Sequence, residues 1–253
     1  MYRGLNVGAV VPARDEERNI GPVVRDLFAL RNEANAPVID HLVVCDNGSR
    51  DATAIRAQEA GARVVRQDRP GYGIACLTAL ASLPAVDVVL FTDGDRSFTA
   101  GQAERLFAAI AEGADLVIGS RVLGHAEPGS LSAPQVMGNR LAALLIRLLW
   151  RRRITDLGPY RAIRSDSLRL ISMEDRAYGW TVEMQIKAIQ HGLRVVETPV
   201  DTRKRRYGRS KVGGTIRGVV GASAGILTMI ARLWVAQKTQ TLRTGRRKEV
   251  DRS

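Results

Sequence analysis

An α/β fold built on a mostly parallel sheet, with helices on both faces, is what this chain predicts, and three observations carry it. Short apolar, β-branched runs alternate with helical patterns from residue 5 to residue 119, the order that demands βαβ crossovers. Three of those runs end in acidic loops rather than hairpin turns. At 253 residues and 45% hydrophobic, the chain can also bury a full core.

The elements follow in order. A first strand is expected at 5–11 (LNVGAVV), running into Pro12-Ala13-Arg14-Asp15-Glu16-Glu17. Asn19 opens a helical pattern over 19–31, a second strand at 41–45 ends at Asp46-Asn47-Gly48-Ser49, and Asp51 opens a helix over 51–60. Then come a strand at 63–66, a helix at 72–82, a strand at 86–92, a helix at 100–112 and a strand at 115–119. Thr99 and Gln102 have the spacing of a capping box for the 100–112 helix. The second half carries an apolar helix at 135–150 containing Arg140 and Arg147 and followed by Arg151, Arg152 and Arg153. After it are a helix at 181–191, a strand at 193–200 and a helical stretch at 212–236.

The charge-free run between Arg217 and Arg232 is fourteen residues, short of the ~20 that span a bilayer. Such basic-flanked amphipathic helices suit either the headgroup region or the cover of a sheet. Leu5 to Val11 reads as a strand and not as the apolar core of a secretory leader. Cys45 and Cys76 allow at most one bridge; Cys45 falls in a core strand, so both are expected as reduced thiols of a cytosolic protein.

Charge is unevenly spread. Residues 201–253 hold 14 Lys and Arg against 3 Asp and Glu, so nearly all of the net +12 sits in the last fifth of the chain. A near-neutral body with a cationic end points to an anionic partner: membrane phospholipid, a phosphorylated substrate or nucleic acid.

The chemistry gathers at strand ends. Asp93-Gly94-Asp95 closes the run Val86–Thr92, while Glu16, Glu17 and Asp46 follow the first two strands. Open α/β sheets bind ligands at this carboxyl edge, and paired hard oxygen donors suit Mg²⁺ or Mn²⁺ clamping substrate phosphates. No G-x-G-x-x-G follows the first strand and no G-x-x-x-x-G-K-[ST] occurs, which argues against a dinucleotide oxidoreductase or a P-loop enzyme. His41, His125 and His191 lack metal-ligand spacing.

Taken in order, VVPARDEE, VVCDNGSRDAT, DRPGYGIACLTAL, FTDGD, IGSR, ITDLGPYRAI, WTVEMQIKAI and RRYGRSK resemble the inverting family-2 glycosyltransferases of GT-A fold, the Rossmann-like nucleotide-diphospho-sugar transferases. The likeness runs over residues 5–215 and is greatest to the polyprenyl- and dolichyl-phosphate hexosyltransferase branch. It implies a catalytic domain over 1–211, with a nucleotide-sugar half (1–122) and an acceptor half (123–211); beyond it the residues themselves read as amphipathic helices at 212–237, for a membrane surface or for the cover of the sheet, and a basic, disordered tail at 238–253.

Roles follow from that resemblance. Pro12, Ala13 and Glu16 or Glu17 would frame the nucleobase and ribose, Asp46 would bind base or ribose, and Asp93 would face the nucleoside. Asp95, with Asp93 as a second candidate, would ligate Mg²⁺ or Mn²⁺, and Arg121 would contact phosphate. Asp156 would lie near the acceptor pocket; Arg203, Arg206, Ser210 and Lys211 would meet phosphate or acceptor. Glu183 matches the general base of relatives that attack with sugar hydroxyls, or else pairs with Arg161 or Arg164. Two departures stand out: Asp93-Gly94-Asp95-Arg96-Ser97 where the family has Asp-Ala-Asp-Leu-Gln, and Gly71-Tyr72-Gly73 where it has Gly-Lys-Gly.

The expected activity is metal-dependent inverting transfer of a hexose from a UDP- or GDP-sugar to a lipid phosphate, on the cytoplasmic face of a membrane whose anionic surface the basic segment would meet. An alternative keeps the donor but uses a soluble hydroxyl acceptor with Glu183 as base. A non-enzymatic cationic adaptor would leave the strand-end acids unexplained, and nucleic acid is not an expected partner.

Overall fold

Seven strands form one mixed sheet in the order β3-β2-β1-β4-β6-β5-β7. The computed structural model describes residues 1–208 and 216–250, and side chains within the last helix only at Gly218 and over 221–239. Strands β1 (Val7–Ala13), β2 (His41–Asp46), β3 (Arg63–Arg66), β4 (Val88–Phe91), β5 (Leu116–Ser120) and β7 (Val195–Pro199) fall where the apolar runs predict them. The helices α1 (Glu17–Phe28), α2 (Thr53–Glu59), α3 (Tyr72–Ser82), α4 (Ala103–Ala111), α5 (Ala133–Trp150) and α7 (Trp180–Gln190) likewise match the helical patterns to within a few residues.

Sequence patterning missed two elements, strand β6 (Arg161–Arg164) and helix α6 (Ser165–Ile171). Strand β6 runs antiparallel to both β4 and β5 and sits between them. Its two apolar residues are bracketed by arginines, which disguises a central strand. Arg161 is fully buried, yet its guanidinium donates to the carbonyls of Leu157 (3.1 Å), Gly158 and Thr181 (2.9 Å), as a buried cation must. Burial lowers its pKa to about 10.

Alternation along the strands feeds the two faces. Val7, Ala9, Val11, Leu42, Val44, Val88 and Leu90 pack under α1 and α4 with Ile20, Leu27, Leu106 and Phe107. Their neighbours Val10, Val43, Cys45, Val89 and Phe91 pack under α3 and α7 with Cys76, Trp180 and Met184. Both cysteines are free and buried. Residues on either side of position 122 supply strands to the same sheet, because β6 inserts between β4 and β5 and β7 pairs with β5.

Three local expectations change. Thr99 makes no side-chain cap; Gln102 instead binds the backbone of Asp201, donating to its carbonyl at 2.9 Å. The capping box forms at Ser132 and Gln135, which start α5. The C-terminal stretch is a single helix, α8 (Ile216–Val250), so residues 238–250, expected as a disordered tail, are helical. That run, KTQTLRTGRRKEV, contains no proline, the residue most able to end a helix. Helix α8 packs on α5 and α7 through Met229, Ile230 and Leu233 against Ala142, Ile146, Val182 and Ile186. No helix among the described residues is long and apolar enough to cross a membrane.

Candidate functional site

Parallel register brings the strand ends together. Ala13 lies opposite Asp46, and Asn47 N–H extends the pairing to the Ala13 carbonyl at 2.8 Å. At Gly48, φ is +70°, a left-handed turn that glycine adopts without strain and that folds Ser49 back to donate its N–H to Asp46 Oδ1 at 3.0 Å. Asp46 is thereby buried at the strand end. The Asp-Gly-Asp turn packs directly against β1: a Cβ on Gly94 would stand 3.3 Å from Ala13 Cβ and 3.6 Å from the Pro12 carbonyl.

Glu16 and Glu17 part ways. Glu17 is exposed and stitches two loops, its carboxylate accepting the Ala52 N–H at 3.2 Å. Glu16 turns inward, 6% exposed, and accepts from Asn19 Nδ2 at 2.7 Å. Its second oxygen takes Arg205 Nη1, while Arg205 Nη2 donates to Asp95 Oδ2 at 2.8 Å. One guanidinium thus links the acids that follow β1 and β4. Burial raises the pKa of Glu16, against the opposing pull of Arg205. Asp93 is pushed up to about 7, first by burial and then by the neighbouring Asp95. Its Oδ1 accepts the Tyr72 hydroxyl at 3.1 Å.

Arg121, at the end of β5, is gripped by Asp156: its backbone N and Nε reach Oδ2 at 2.8 Å each and Nη2 reaches Oδ1 at 2.7 Å. Asp93 acts on its charge as well, so the arginine borders the same acids. Asp156 is positioned by its backbone N–H donating to Glu197 Oε1 at 3.0 Å.

The other expected residues sit elsewhere. Glu183 is fully buried and pairs not with Arg161 or Arg164 but with Lys187 at 2.8 Å. It also accepts the N–H groups of Glu174 at 3.0 Å and Asp175 at 2.8 Å. That anchored segment then accepts the first N–H groups of α3, Gly73 to Ala177 and Ile74 to Arg176, each at 3.0 Å. Arg203 and Arg206 are exposed side chains, and Ser210 and Lys211 lie outside the described residues. Arg205 and Tyr72 are what sequence reasoning missed. Tyr72 was visible as the departure inside Gly71-Tyr72-Gly73, whereas nothing distinguished Arg205 within Arg203-Lys204-Arg205-Arg206.

The donor set fits a small hard divalent ion. Among the described residues no cluster of three or more His, Cys, Asp or Glu could hold a metal by itself. Two crowded carboxylates at one turn are the usual protein share of a Mg²⁺ or Mn²⁺ site whose other ligands are substrate phosphate and water.

The family described as "Glycosyl transferase family 2" matches residues 9–174. Among relatives, a glycosyltransferase of Mycobacterium bovis described as uncharacterized is 34% identical over 221 residues, covering 86% of this chain and 94% of that protein. Undecaprenyl-phosphate mannosyltransferase of Micrococcus luteus is 31% identical over 218 residues, covering 82% and 87%. Among solved structures, glucosyl-3-phosphoglycerate synthase from Mycobacterium tuberculosis, in complex with Mn²⁺, UDP and glucosyl-3-phosphoglycerate, shares the fold with a TM-score of 0.73. The two are 24% identical, and the match covers 91% of this chain and 80% of that one.

Proposed function

The chain belongs to glycosyl transferase family 2, and from that premise we propose that it transfers a hexose from a UDP- or GDP-sugar to a polyprenyl-type lipid phosphate, with inversion and with a divalent metal. The observation that carries the donor half is the Glu16–Arg205–Asp95 bridge beside Asp93, where acids from separate strand ends meet cations at the sheet's carboxyl edge.

In this reading Pro12, Ala13, Glu16 and Asp46 receive the nucleoside, and Asp95, with Asp93, holds Mg²⁺ or Mn²⁺. The ion, when bound, supplies Lewis-acid stabilisation of the departing diphosphate. Arg121 supplies fixed positive charge where negative charge develops; because Asp156 already holds it, little reorganisation is needed. An oxygen of the acceptor phosphate attacks the anomeric carbon, the bond from that carbon to the diphosphate breaks, and its electron pair leaves on the nucleoside diphosphate. No proton need be removed from the attacking group, since a phosphate monoester with a second pKa of ~6 is mostly ionised at neutral pH.

Two observations support the lipid acceptor. The relative from Micrococcus luteus is named for undecaprenyl phosphate. Helix α5 also presents an apolar stripe to solvent, with Met137 69%, Leu141 45%, Leu144 48% and Leu148 65% exposed. Exposed Arg140, Arg147, Arg151, Arg152 and Arg153 flank it, the pattern of a helix lying in an anionic membrane surface. A soluble hydroxyl acceptor would need a base, and Glu183 is poorly suited to that task. Its oxygens are engaged by Lys187 and two backbone N–H groups in a fully buried position, where it holds the 174–177 segment.

The test is a product assay with UDP-Glc, GDP-Man, UDP-GlcNAc and UDP-Gal, each with and without Mn²⁺ and undecaprenyl phosphate. Metal-dependent formation of a lipid-linked sugar from one donor supports the reading. Turnover of donor with 3-phosphoglycerate or a free sugar, and none with lipid phosphate, would replace the acceptor.

A further inference from the structure

The segment that delivers Arg205 is tied down on both sides of it. Arg203 N–H donates to the Ser97 carbonyl at 2.8 Å and Lys204 N–H to Glu127 Oε2 at 2.8 Å. Beyond it, the Tyr207 carbonyl accepts from Asn19 Nδ2 at 3.1 Å, and the Arg18 guanidinium stands 4.1 Å from the Tyr207 ring centre. Between these ties Arg205 enters the acidic edge with its side chain 18% exposed, meeting Glu16 at 6% and Asp95 at 13%. Charges removed from water to this degree interact strongly and are only weakly screened by salt.

Asp95 therefore has two claimants for one oxygen: the guanidinium of Arg205 and, on the reading given above, a divalent ion. They are both cationic, so each opposes the other. A nucleoside diphosphate changes the balance, because its phosphate oxygens can accept the N–H groups that Asp95 gives up.

We propose that Arg205 is a transferable counter-ion of the donor site, resting on the reading of that site as one for sugar nucleotides. With the segment down it neutralises Asp95 and Glu16 together. When a divalent ion takes Asp95, Nη2 is released while Nη1 stays with Glu16, and the guanidinium turns to the diphosphate. Metal alone then binds against a resident cation, whereas metal and diphosphate bind cooperatively, since the diphosphate offsets both positive charges. The coupling is reciprocal, as any linkage between two ligands must be. Arg205 becomes a positioning and selecting residue: it makes the site take metal and nucleotide as a pair.

Titration calorimetry with Mn²⁺ alone, with UDP or GDP alone, and with each nucleotide at saturating Mn²⁺ tests this on wild type, Arg205→Met and Arg205→Lys. The expected result is that Arg205→Met binds Mn²⁺ alone about tenfold more tightly than wild type and loses most of the Mn²⁺–nucleotide coupling, while Arg205→Lys keeps wild-type Mn²⁺ affinity. Wild-type protein supplies a second measure that needs no variant. Trypsin should cut within 203–206 faster when Mn²⁺ is added alone, and slower when UDP or GDP is added with it. Unchanged or weaker Mn²⁺ binding by Arg205→Met overturns the proposal while leaving the donor reading intact. Failure of wild type to bind either nucleotide with Mn²⁺ overturns the donor reading and this proposal with it.

Discussion

Asp156 holds Arg121 with both carboxylate oxygens, at 2.7–2.8 Å, with the acid 1% exposed and the arginine 16%. Both residues read from the sequence as site groups, one for phosphate and one for acceptor, and the fold makes them a single unit. The pair fixes the guanidinium at the end of β5 in one rotamer, and Asp156 in turn is held by Glu197 of β7. Arg and Lys are not exchangeable at such a two-pronged contact.

The losses from removing the two members should not add. Asp156→Leu leaves a largely buried cation short of its partner and is expected to destabilise by ~3 kcal/mol. Arg121→Met with Asp156→Leu should lose less than the sum of the single losses. Urea unfolding of Asp156→Leu, Arg121→Met and the double variant checks this; additive losses would mean that the pair is not coupled.

Asp95→Ala should abolish the Mn²⁺-dependent part of the thermal stabilisation by UDP or GDP, without lowering the melting temperature of the unliganded protein by more than a few degrees. Differential scanning fluorimetry reads both quantities. Stabilisation equal to wild type would remove Asp95 from the metal site.

Gly73 is required by a close approach. A Cβ there would stand 2.1 Å from the Asp175 carbonyl oxygen, and that backbone is pinned through Glu183. Gly73→Ala is expected to cost ~2 kcal/mol as the 174–177 segment is pushed away, measured by chemical denaturation.

Neither cysteine should react with a thiol reagent in the folded protein. Burial pushes the Cys45 thiol up to about 12 and raises Cys76 well above its ordinary value, so at pH 8 almost no thiolate is present. Ellman's reagent should titrate no thiol in buffer and both in urea. Fast native labelling would show that the face under α3 opens.

The α5 stripe should govern membrane association. Leu144→Glu with Leu148→Glu places charge on two exposed apolar positions and should reduce sedimentation with phosphatidylglycerol vesicles at least about tenfold, on a loss of ~1.5 kcal/mol or more per leucine. Wild-type binding should weaken with added salt as the flanking arginines are screened.

The gathering of acids at one edge was legible because parallel sheets place strand ends side by side. Once β1, β2 and β4 were recognised as apolar runs, Glu16, Asp46, Asp93 and Asp95 had to fall at one edge. What stayed hidden was pairing between distant residues: Glu16 rather than Glu17 turns inward, and Arg205 rather than Arg203 or Arg206 reaches the acids. Tyr72 takes the place beside Asp93 in a motif whose usual residue is a lysine. Glu183, which by motif could serve as a base, spends its charge on Lys187 and the backbone of Glu174 and Asp175.

By itself the amino-acid order determined the layered α/β architecture and the acids that would share its edge, since periodicity and strand polarity are local properties. Only the tertiary structure decided that Arg161–Arg164 is a central strand, which acid each arginine meets, and which apolar face of α5 the fold leaves uncovered. Those outcomes depend on burial and on hydrogen bonds between residues far apart in the chain, such as Arg161 reaching the Thr181 carbonyl or Arg205 spanning two carboxylates, and no local pattern encodes them.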